Sequence, residues 1–255
     1  MLYSELLKKA VDYLITKNVG KTARLDAEIL ICEAANITRE KLLAILNEPV
    51  DEKIISDYRK LIKQRALSKM PIAYLTNSKE FYGYDFFITK DCLIPRPETE
   101  QIIDEIKKDF SDNLAKLNIL DICSGSGNIL ISLLNEYKYA EGIAVDISKS
   151  ALFISFQNAC VYRLLNRIDF YQTNILDFTK LNELLNLNDF DIIVSNPPYI
   201  TREEYNTLSD EVLNEPQNAL LVNADNPIIF YETIIKALIN QNPKTKKKKK
   251  SFILK

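Results

Sequence analysis

Residues 121–128 read "DICSGSGN" and form the stretch that decides the fold. The chain has only five glycines, yet Gly125 and Gly127 lie within three residues of each other here. Glycine is needed where a chain turns tightly or approaches another group closely, because it has no Cβ. An ordinary strand-to-helix turn would explain a lone Gly-x-Gly. A loop that receives a nucleotide-like cofactor after a buried strand is the functional interpretation.

Two details of the loop favour S-adenosylmethionine as that cofactor. Leu130 stands where the dinucleotide fingerprint has its third glycine, and Asp121 ends the preceding strand pattern. A carboxylate would repel a pyrophosphate, whereas it suits the ammonium group of S-adenosylmethionine. Asp146 follows about 20 residues later, where doubly wound folds place a carboxylate on the ribose hydroxyls. The alternative for such an Asp is a helix cap.

The sequence around the loop alternates between strand and helix patterns. Short apolar runs read "LNILDIC", "EGIAVDI", "IDFYQTNI" and "DFDIIVSN", and segments of helical periodicity such as "NILISLLNEYKYA" separate them. This alternation predicts an α/β fold, a doubly wound Rossmann-like parallel sheet with helices on both faces, over residues 96–255. Ligands of such sheets bind at the carboxyl ends of the strands. By topology, Asn174 and Ile175 would lie beside adenine, although a simple polar turn explains them nearly as well.

A different pattern precedes this domain. Apolar residues recur at three- and four-residue spacing in "YSELLKKAVDYLI", "TARLDAEILICEAA", "TREKLLAIL" and "DEKIISDYRKLIKQRAL", which predicts a small helical bundle over residues 1–75. In "EFYGYDFFI", aromatic and polar residues alternate about Gly83, which predicts a β-hairpin. We interpret residues 76–95 as a hairpin linker between the two domains.

Composition excludes several kinds of chemistry. The 255 residues include no histidine, which excludes Ser-His-Asp and Cys-His catalysis and histidine-ligated metals. The four cysteines form no C-x-x-C pair, so neither a disulfide framework nor a metal site is predicted. No apolar stretch approaches the roughly 20 residues needed to cross a bilayer, and no signal peptide is visible. We therefore expect a cytoplasmic protein without a membrane partner.

The charge distribution argues against a nucleic-acid partner. The formal net charge is −2, but seven lysines lie between Lys244 and Lys255, and removing their seven charges leaves −9 for the rest of the chain. Proteins that bind a nucleic-acid backbone normally carry the opposite charge. We expect a monomer without direct contact to nucleic acid, and a solvated tail at the lysine run 246–250.

The last strand pattern ends in a rigid polar corner, "IVSNPPYI", at residues 193–200. Asn196 Oδ1 and the Pro197 carbonyl can accept both N–H bonds of a planar –NH2 group, while Tyr199 lies against its flat face. Pro198 restricts the backbone before it and donates no hydrogen bond, so it can hold the Pro197 carbonyl in one direction. We predict that Asn196, Pro197, Pro198 and Tyr199 hold an amino or amide nitrogen toward a methyl group.

Eight motifs resemble, in order, those of the HemK-type (PrmC) release-factor glutamine methyltransferases: "LDAEILI", "QRALSKMPIAYL", "EFYGYDFFI", "LIPRPETE", "DICSGSGNI", "AVDIS", "IVSNPPYI" and "NEPQNAL". The resemblance extends to about residue 236. "LIPRPETE" at 93–100 is its most discriminating motif, because N-P-P-Y also occurs in adenine and guanine N-methyltransferases. The resemblance implies S-adenosylmethionine-dependent methylation of the side-chain amide nitrogen (N5) of the glutamine in the Gly-Gly-Gln motif of class I peptide chain release factors.

The same resemblance implies roles for individual segments. The N-terminal bundle would dock the release factor, and the loop from Arg96 to Glu98 would border the site, although its charges could equally link the two domains. Cys123 replaces a commoner glycine, which we expect to be tolerated if its backbone dihedral angles are ordinary. The implied cofactor contacts are Asp121, Cys123, Ser124, Gly125, Ser126, Gly127, Asp146, Asn174, Ile175 and Asn196.

The C-terminal sequence departs from the family pattern. Where the family continues through a fifth strand, another helix and two closing strands, this chain reads "NQNPKTKKKKKSFILK". We expect a sheet without its C-terminal strands, except that "SFIL" is a candidate for the fifth strand, and we hypothesise a truncated or frameshifted product. Two other functions are open: an N-methyltransferase of adenine or guanine in RNA or DNA, and a catalytically impaired protein that binds release factors.

Overall fold

The structure is a computed structural model that describes residues 1–222, 226–240 and 251–254. The chain forms two compact units. The first contains Met1–Asn77 and Leu208–Asn214, and the second contains Ser78–Thr207 and Glu215–Lys255. The domain limits proposed from the sequence stay a prediction, and the lysine run 246–250 lies outside the described residues.

The first unit is helical, as its apolar periodicity predicts. Its helices are α1 (Tyr3–Thr16), α2 (Ala23–Ala35), α3 (Arg39–Ala44), α4 (Glu52–Ser68) and α5 (Ile72–Leu75). Side-chain caps begin two of them, because Thr38 accepts a hydrogen bond from the Lys41 amide and Asp51 accepts one from the Lys53 amide. Asn36 and Lys69 end α2 and α4 in the left-handed conformation. The apolar faces bury a core that includes Leu7, Leu14, Leu30, Ile31, Leu42 and Tyr58.

A buried ion pair fixes α2 to α4. Asp26 Oδ2 accepts a hydrogen bond from Arg65 Nε at 2.7 Å, and both side chains are almost fully buried. Arg65 Nη1 also lies 3.0 Å from a carboxylate oxygen of Glu211. The Asn214 amide donates to the Ser68 carbonyl at 2.8 Å. These contacts explain why residues 208–214 belong to the helical unit.

A hairpin begins the second unit. Strands β1 (Ser78–Phe81) and β2 (Tyr84–Phe87) are antiparallel, and the turn residues Tyr82 and Gly83 both have positive φ. That conformation characterises the two-residue turns of hairpins. The hairpin is present where the alternation predicts it. Its role as a linker stays a prediction.

A parallel sheet of five strands forms the centre of the second unit. The strands are β3 (Asn118–Ile122), β4 (Glu141–Asp146), β5 (Ile168–Gln172), β6 (Ile192–Ser195) and β7 (Ser251–Leu254), in the order β5-β4-β3-β6-β7. All four neighbouring pairs are parallel. The doubly wound fold expected from the sequence is confirmed. "SFIL", the candidate for the fifth strand, forms β7, which pairs with β6.

Helices surround this sheet. They are α6 (Gln101–Asp109), α7 (Asn128–Glu136), α8 (Lys149–Val161), α9 (Phe178–Leu187), α10 (Arg202–Tyr205), α11 (Gln217–Leu220) and α12 (Ile229–Ile239). Leu181 and Leu185 of α9 and Ile234 of α12 share one apolar core with alternate residues of β3, β4 and β6. Among the described residues, no helix is both long and apolar enough to span a bilayer.

Candidate active site

The register of the central strands brings three loops to one edge of the sheet. Ile122, the last residue of β3, pairs with Val145 of β4 on one side and with Ser195 of β6 on the other. The next residues along each strand are Cys123, Asp146 and Asn196. Because parallel strands end at the same side of a sheet, the glycine loop, the ribose candidate and the N-P-P-Y corner meet there.

These loops line a cavity of about 360 Å³, which is within the usual size for a small-ligand site. The predicted residues that line it are Cys123, Ser124, Gly125, Ser126, Asp146, Asn174, Ile175, Asn196 and Pro198. The other predicted residues are near it but outside its lining: Asp121, Gly127, Pro197 and Tyr199. Nine of the predicted residues therefore line one cavity, and the other four lie outside its lining.

The glycine loop is held by hydrogen bonds to the protein itself. The Ser124 amide donates to the Val145 carbonyl at 3.0 Å, and the Gly127 amide donates to the Ser124 carbonyl at 2.8 Å. The Gly125 amide donates to Asp146 Oδ2 at 2.9 Å, and Asp146 Oδ1 accepts from the Ser148 amide at 2.9 Å. These amides already have acceptors, so the loop is pre-organised and offers a ligand mainly a close approach to its backbone.

Both glycines of the loop have positive φ, +55° at Gly125 and +78° at Gly127. Gly127 is the N-cap of α7, and a Cβ at this position would fall on Ser155 Oγ of α8. A Cβ at Gly125 would meet no atom within 4 Å, because that position faces the cavity. Gly127 is therefore required by packing, whereas Gly125 leaves space for a ligand.

Cys123 differs from the sequence-based expectation. Its φ is +61°, a left-handed conformation that costs a residue with a Cβ about 1–2 kcal/mol. The condition of ordinary dihedral angles is not met, and this explains why glycine is commoner at this position. Burial raises the pKa of the Cys123 thiol, and the neighbouring carboxylates Asp146 and Asp121 raise it further. The thiol stays protonated at neutral pH.

Asp121 lies beneath the glycine loop. Its side chain is fully buried, and Oδ2 accepts a hydrogen bond from Ser124 Oγ at 2.8 Å. Its other oxygen, Oδ1, has no hydrogen-bond partner within the described part of the chain. Burial raises the pKa of Asp121 to about 7, although the Ser124 hydroxyl favours the charged form. The structure thus gives Asp121 a contact with the loop, and its direct contact with a cofactor stays a prediction.

The N-P-P-Y corner contains an unpaired acceptor. Asn196 Oδ1 is buried and has no partner among the described residues. Ser195 Oγ donates to the Ile122 carbonyl at 2.7 Å, which fixes the chain just before the corner. After it, the Ile200 amide donates to the Leu220 carbonyl at 3.0 Å. Tyr199 is 52% exposed. The corner is held at both ends, and its amide oxygen is free to accept.

The turn after β5 contains both residues that were predicted to lie beside adenine. Asn174 is exposed, and its Oδ1 accepts from the Leu176 amide at 3.0 Å, while Ile175 is buried. Thr173, just before it, donates its amide to the Asp146 carbonyl at 3.0 Å. Both predicted residues reach the cavity. Their contact with adenine stays a prediction.

Two residues beside the cavity make contacts that sequence reasoning did not predict. Arg96 lines the cavity, as expected for a loop that borders the site, and its guanidinium forms an ion pair with Glu215. The Glu215 side chain is 2% exposed. Another is Asn158 of α8, which donates to the Ser126 carbonyl at 2.9 Å and exchanges hydrogen bonds with the backbone of Phe87. "NEPQNAL" was a signal for Glu215, but its partners are too distant in sequence to be inferred.

Comparison with known proteins identifies the family. Residues 5–76 match the family described as PrmC N-terminal domain, and residues 99–254 match Methyltransferase small domain. The release factor glutamine methyltransferase of Leptospira interrogans is 37% identical over 233 residues, which cover 90% of this chain and 78% of that protein. The chain belongs to the release factor glutamine methyltransferase family.

Other relatives in this family give similar values. The release factor glutamine methyltransferase of Bacillus subtilis is 36% identical over 234 residues, which cover 89% of this chain and 77% of that protein. A solved structure of a SAM-dependent methyltransferase from Agrobacterium tumefaciens is 16% identical, with a TM-score of 0.44, and the match covers 69% of this chain and 51% of that one.

The methyl donor of a family member is S-adenosylmethionine, and the cavity has groups that suit it. Asp146 Oδ1 and Oδ2 each accept one backbone amide, and each has a further lone pair that a ribose hydroxyl could use, although contact with ribose stays a prediction. The space over Gly125 admits a ligand against the backbone, and Ile175 supplies an apolar surface. Burial raises the pKa of Asp146, and the Ser148 and Gly125 amides oppose this by favouring its charged form. The residues present fit the cofactor.

We predict that G127A mainly lowers the stability of the fold, whereas G125A mainly weakens the binding of S-adenosylmethionine. G127A should lower the free energy of unfolding by about 2–4 kcal/mol, because the new Cβ combines a positive φ with overlap on Ser155. G125A should cost about 1–2 kcal/mol from its φ alone, but should weaken S-adenosylmethionine binding, because its Cβ enters the cavity. Urea unfolding and calorimetric titration measure the two effects. Equal losses of stability would contradict the packing role of Gly127.

We predict that D121N removes a loss of folding stability that wild type shows as the pH rises. The folded-state pKa of about 7 exceeds the unfolded value near 3.8, so the folded protein binds an extra proton between these pH values. Stability from this group is therefore complete below about pH 4 and falls as the pH rises through 7, by roughly 4 kcal/mol. D121N, whose amide oxygen can take the place of Oδ2 and accept from Ser124, should be more stable than wild type at pH 8 and similar near pH 4. Unfolding curves that stay parallel across this range would contradict the prediction.

Proposed function

We propose that this chain transfers a methyl group from S-adenosylmethionine to the side-chain amide nitrogen of a glutamine in a class I peptide chain release factor. The observation that carries the proposal is the buried Asn196 Oδ1, which has no partner in the described structure and lies at the edge of the cofactor cavity. The names of the relatives agree with it, since both are release factor glutamine methyltransferases. A primary amide carries two N–H donors, one of which matches this acceptor.

The corner would bind and orient the substrate amide. Asn196 Oδ1 accepts one N–H, and the Pro197 carbonyl is the proposed acceptor for the second. Tyr199 is exposed enough for its ring to cover the amide plane. Accepting from both hydrogens raises the electron density on a weakly nucleophilic nitrogen as positive charge develops there. Holding the nitrogen in one place also removes much of the entropic cost of a reaction between two bound molecules.

When bound, S-adenosylmethionine supplies an electrophilic methyl group on a sulfonium sulfur. Asn196 and the Pro197 carbonyl would hold the amide nitrogen as its new N–C bond forms and the methyl–sulfur bond breaks, and the nitrogen would then lose one proton to water. No imidazole base exists in this sequence, which contains no histidine. The two acceptors at the corner stabilise the developing charge until the proton leaves, so no side chain has to take it.

The proposal extends to partner and location. The helical unit, which matches the PrmC N-terminal domain, is the proposed docking unit for the release factor. We propose that the enzyme works as a monomer in the cytoplasm, without direct contact to nucleic acid or membrane. The negative charge of the chain before Lys244 supports the absence of a nucleic-acid substrate.

We predict that N196A lowers kcat about 10²-fold or more, because it removes an acceptor that acts in the transition state. Its affinity for S-adenosylmethionine should stay within a few-fold of wild type. Labelled methyl transfer to a recombinant release factor gives the rate, and calorimetry gives the affinity. N113A, which alters an exposed asparagine away from the cavity, is the matched control.

Two results would contradict this account. Equal rates for N196A and wild type would remove the amide-binding role. A release factor whose Gly-Gly-Gln glutamine is replaced should accept no label, and methyl transfer to RNA in excess of that to release factor would favour the nucleic-acid N-methyltransferase instead.

A further inference from the structure

The carboxylate of Glu215 is buried outside the cofactor loop, and both of its oxygens are used. Oε2 accepts a hydrogen bond from the Ile94 amide at 3.1 Å, and Oε1 pairs with the Arg96 guanidinium. The donors come from one short loop about 120 residues earlier in the chain. A carboxylate with 2% exposure that carries charge-assisted bonds to one loop fixes that loop in place.

The loop that Glu215 holds is one wall of the cavity. Leu93, Pro95, Arg96 and Thr99 all line it. Arg96 lines the cavity and is one-third exposed, and its guanidinium pairs with Glu215. Without Glu215, this wall would lose its buried anchor and a balancing charge.

The segment after Glu215 is hydrogen-bonded to the residue that follows the N-P-P-Y corner. The Leu220 carbonyl accepts from the Ile200 amide at 3.0 Å, and the Val222 amide donates to the Ile200 carbonyl at 2.8 Å. Ile200 directly follows the N-P-P-Y corner. Residues 215–222, which we call the brace, therefore bind the Arg96 loop at one end and the corner at the other. Between these ends, Asn218, Ala219 and Leu221 line the cavity.

We propose that Glu215 is a positioning residue for methyl transfer, because the brace that it anchors sets the position of the N-P-P-Y corner relative to the Arg96 loop. It does not contact the reacting atoms itself. A small displacement of an orienting group can cost about 10²-fold in rate. The inference rests on the proposed function for its kinetic test, and its structural test is independent of activity.

The kinetic test uses E215Q, R96Q and the double variant. In E215Q the side-chain oxygen can still accept from Ile94, but the new –NH2 group faces the Arg96 guanidinium, donor against donor. We expect kcat to fall about tenfold or more, with KM for the release factor and the affinity for S-adenosylmethionine within about threefold. E105Q, which breaks the exposed Glu105–Lys108 pair, is the matched control and should keep wild-type kinetics.

The double variant separates positioning from general stability. In R96Q/E215Q two neutral side-chain amides face each other, and each offers both a donor and an acceptor, so they can hydrogen-bond without charge. The double variant should therefore recover much of the kcat lost in E215Q. Rate losses that multiply in the double variant, or an unchanged kcat in E215Q, would overturn the proposal. If E215Q does not fold, R96Q alone must show the same fall in kcat, because Arg96 is partly exposed and its replacement spares the Ile94 bond.

Amide-resolved hydrogen exchange tests the brace without any substrate. E215A should accelerate exchange at the Ile94 amide, which loses its acceptor, and also at the Ile200 and Val222 amides if the brace acts as one unit. Acceleration at Ile94 alone would overturn the link to the corner. This readout remains valid if wild type fails to methylate a release factor, so the two proposals fail separately.

Discussion

The pairing of β3 between β4 and β6 is the constraint on which the rest of the second unit depends. Parallel neighbours end on the same side of the sheet, and the register makes the ends level: Ile122 lies opposite both Val145 and Ser195. One residue further on, the three chains diverge into the glycine loop, the Asp146 turn and the N-P-P-Y corner. A shift of register by one residue would turn the alternate side chains of a strand to the wrong face and separate these groups.

The site is built from polar groups that are largely satisfied inside the protein. The glycine loop uses its amides on Val145, Asp146 and its own carbonyl, so its shape exists before any ligand arrives. Three features of the site reduce the stability of the fold: the left-handed Cys123, the buried carboxylate of Asp121 and the unpaired Asn196 oxygen. Strain and unpaired groups of this kind concentrate where a ligand is bound or a reaction is catalysed. The sheet and its helices supply the stability that tolerates them.

Two segments that are distant in sequence also line the cavity. The Arg96 loop precedes the sheet, whereas residues 215–222 follow the excursion of the chain into the helical unit at Leu208–Asn214. Glu215 accepts a hydrogen bond from Ile94, next to Arg96, and the Leu220 carbonyl accepts one from Ile200, which follows the corner. The sheet alone therefore does not set the geometry of the corner, because the Arg96 loop and residues 215–222 also contribute to it.

Much of this protein was determined by local sequence, and the remainder by tertiary structure. The glycine spacing at 125 and 127, the acid at 146 and the amide at 196 follow from where each strand pattern ends, so the sequence alone located them at one edge of a parallel sheet. The helical unit and the hairpin at Gly83 likewise follow from periodicity and turn residues. Local sequence does not encode what a side chain meets from a distant segment. The backbone angle of Cys123, the burial of Asp121 under the loop, and the bonds from Glu215 to Ile94 and Arg96 were decided only when the chain closed on itself, because each depends on atoms brought together by packing rather than by spacing.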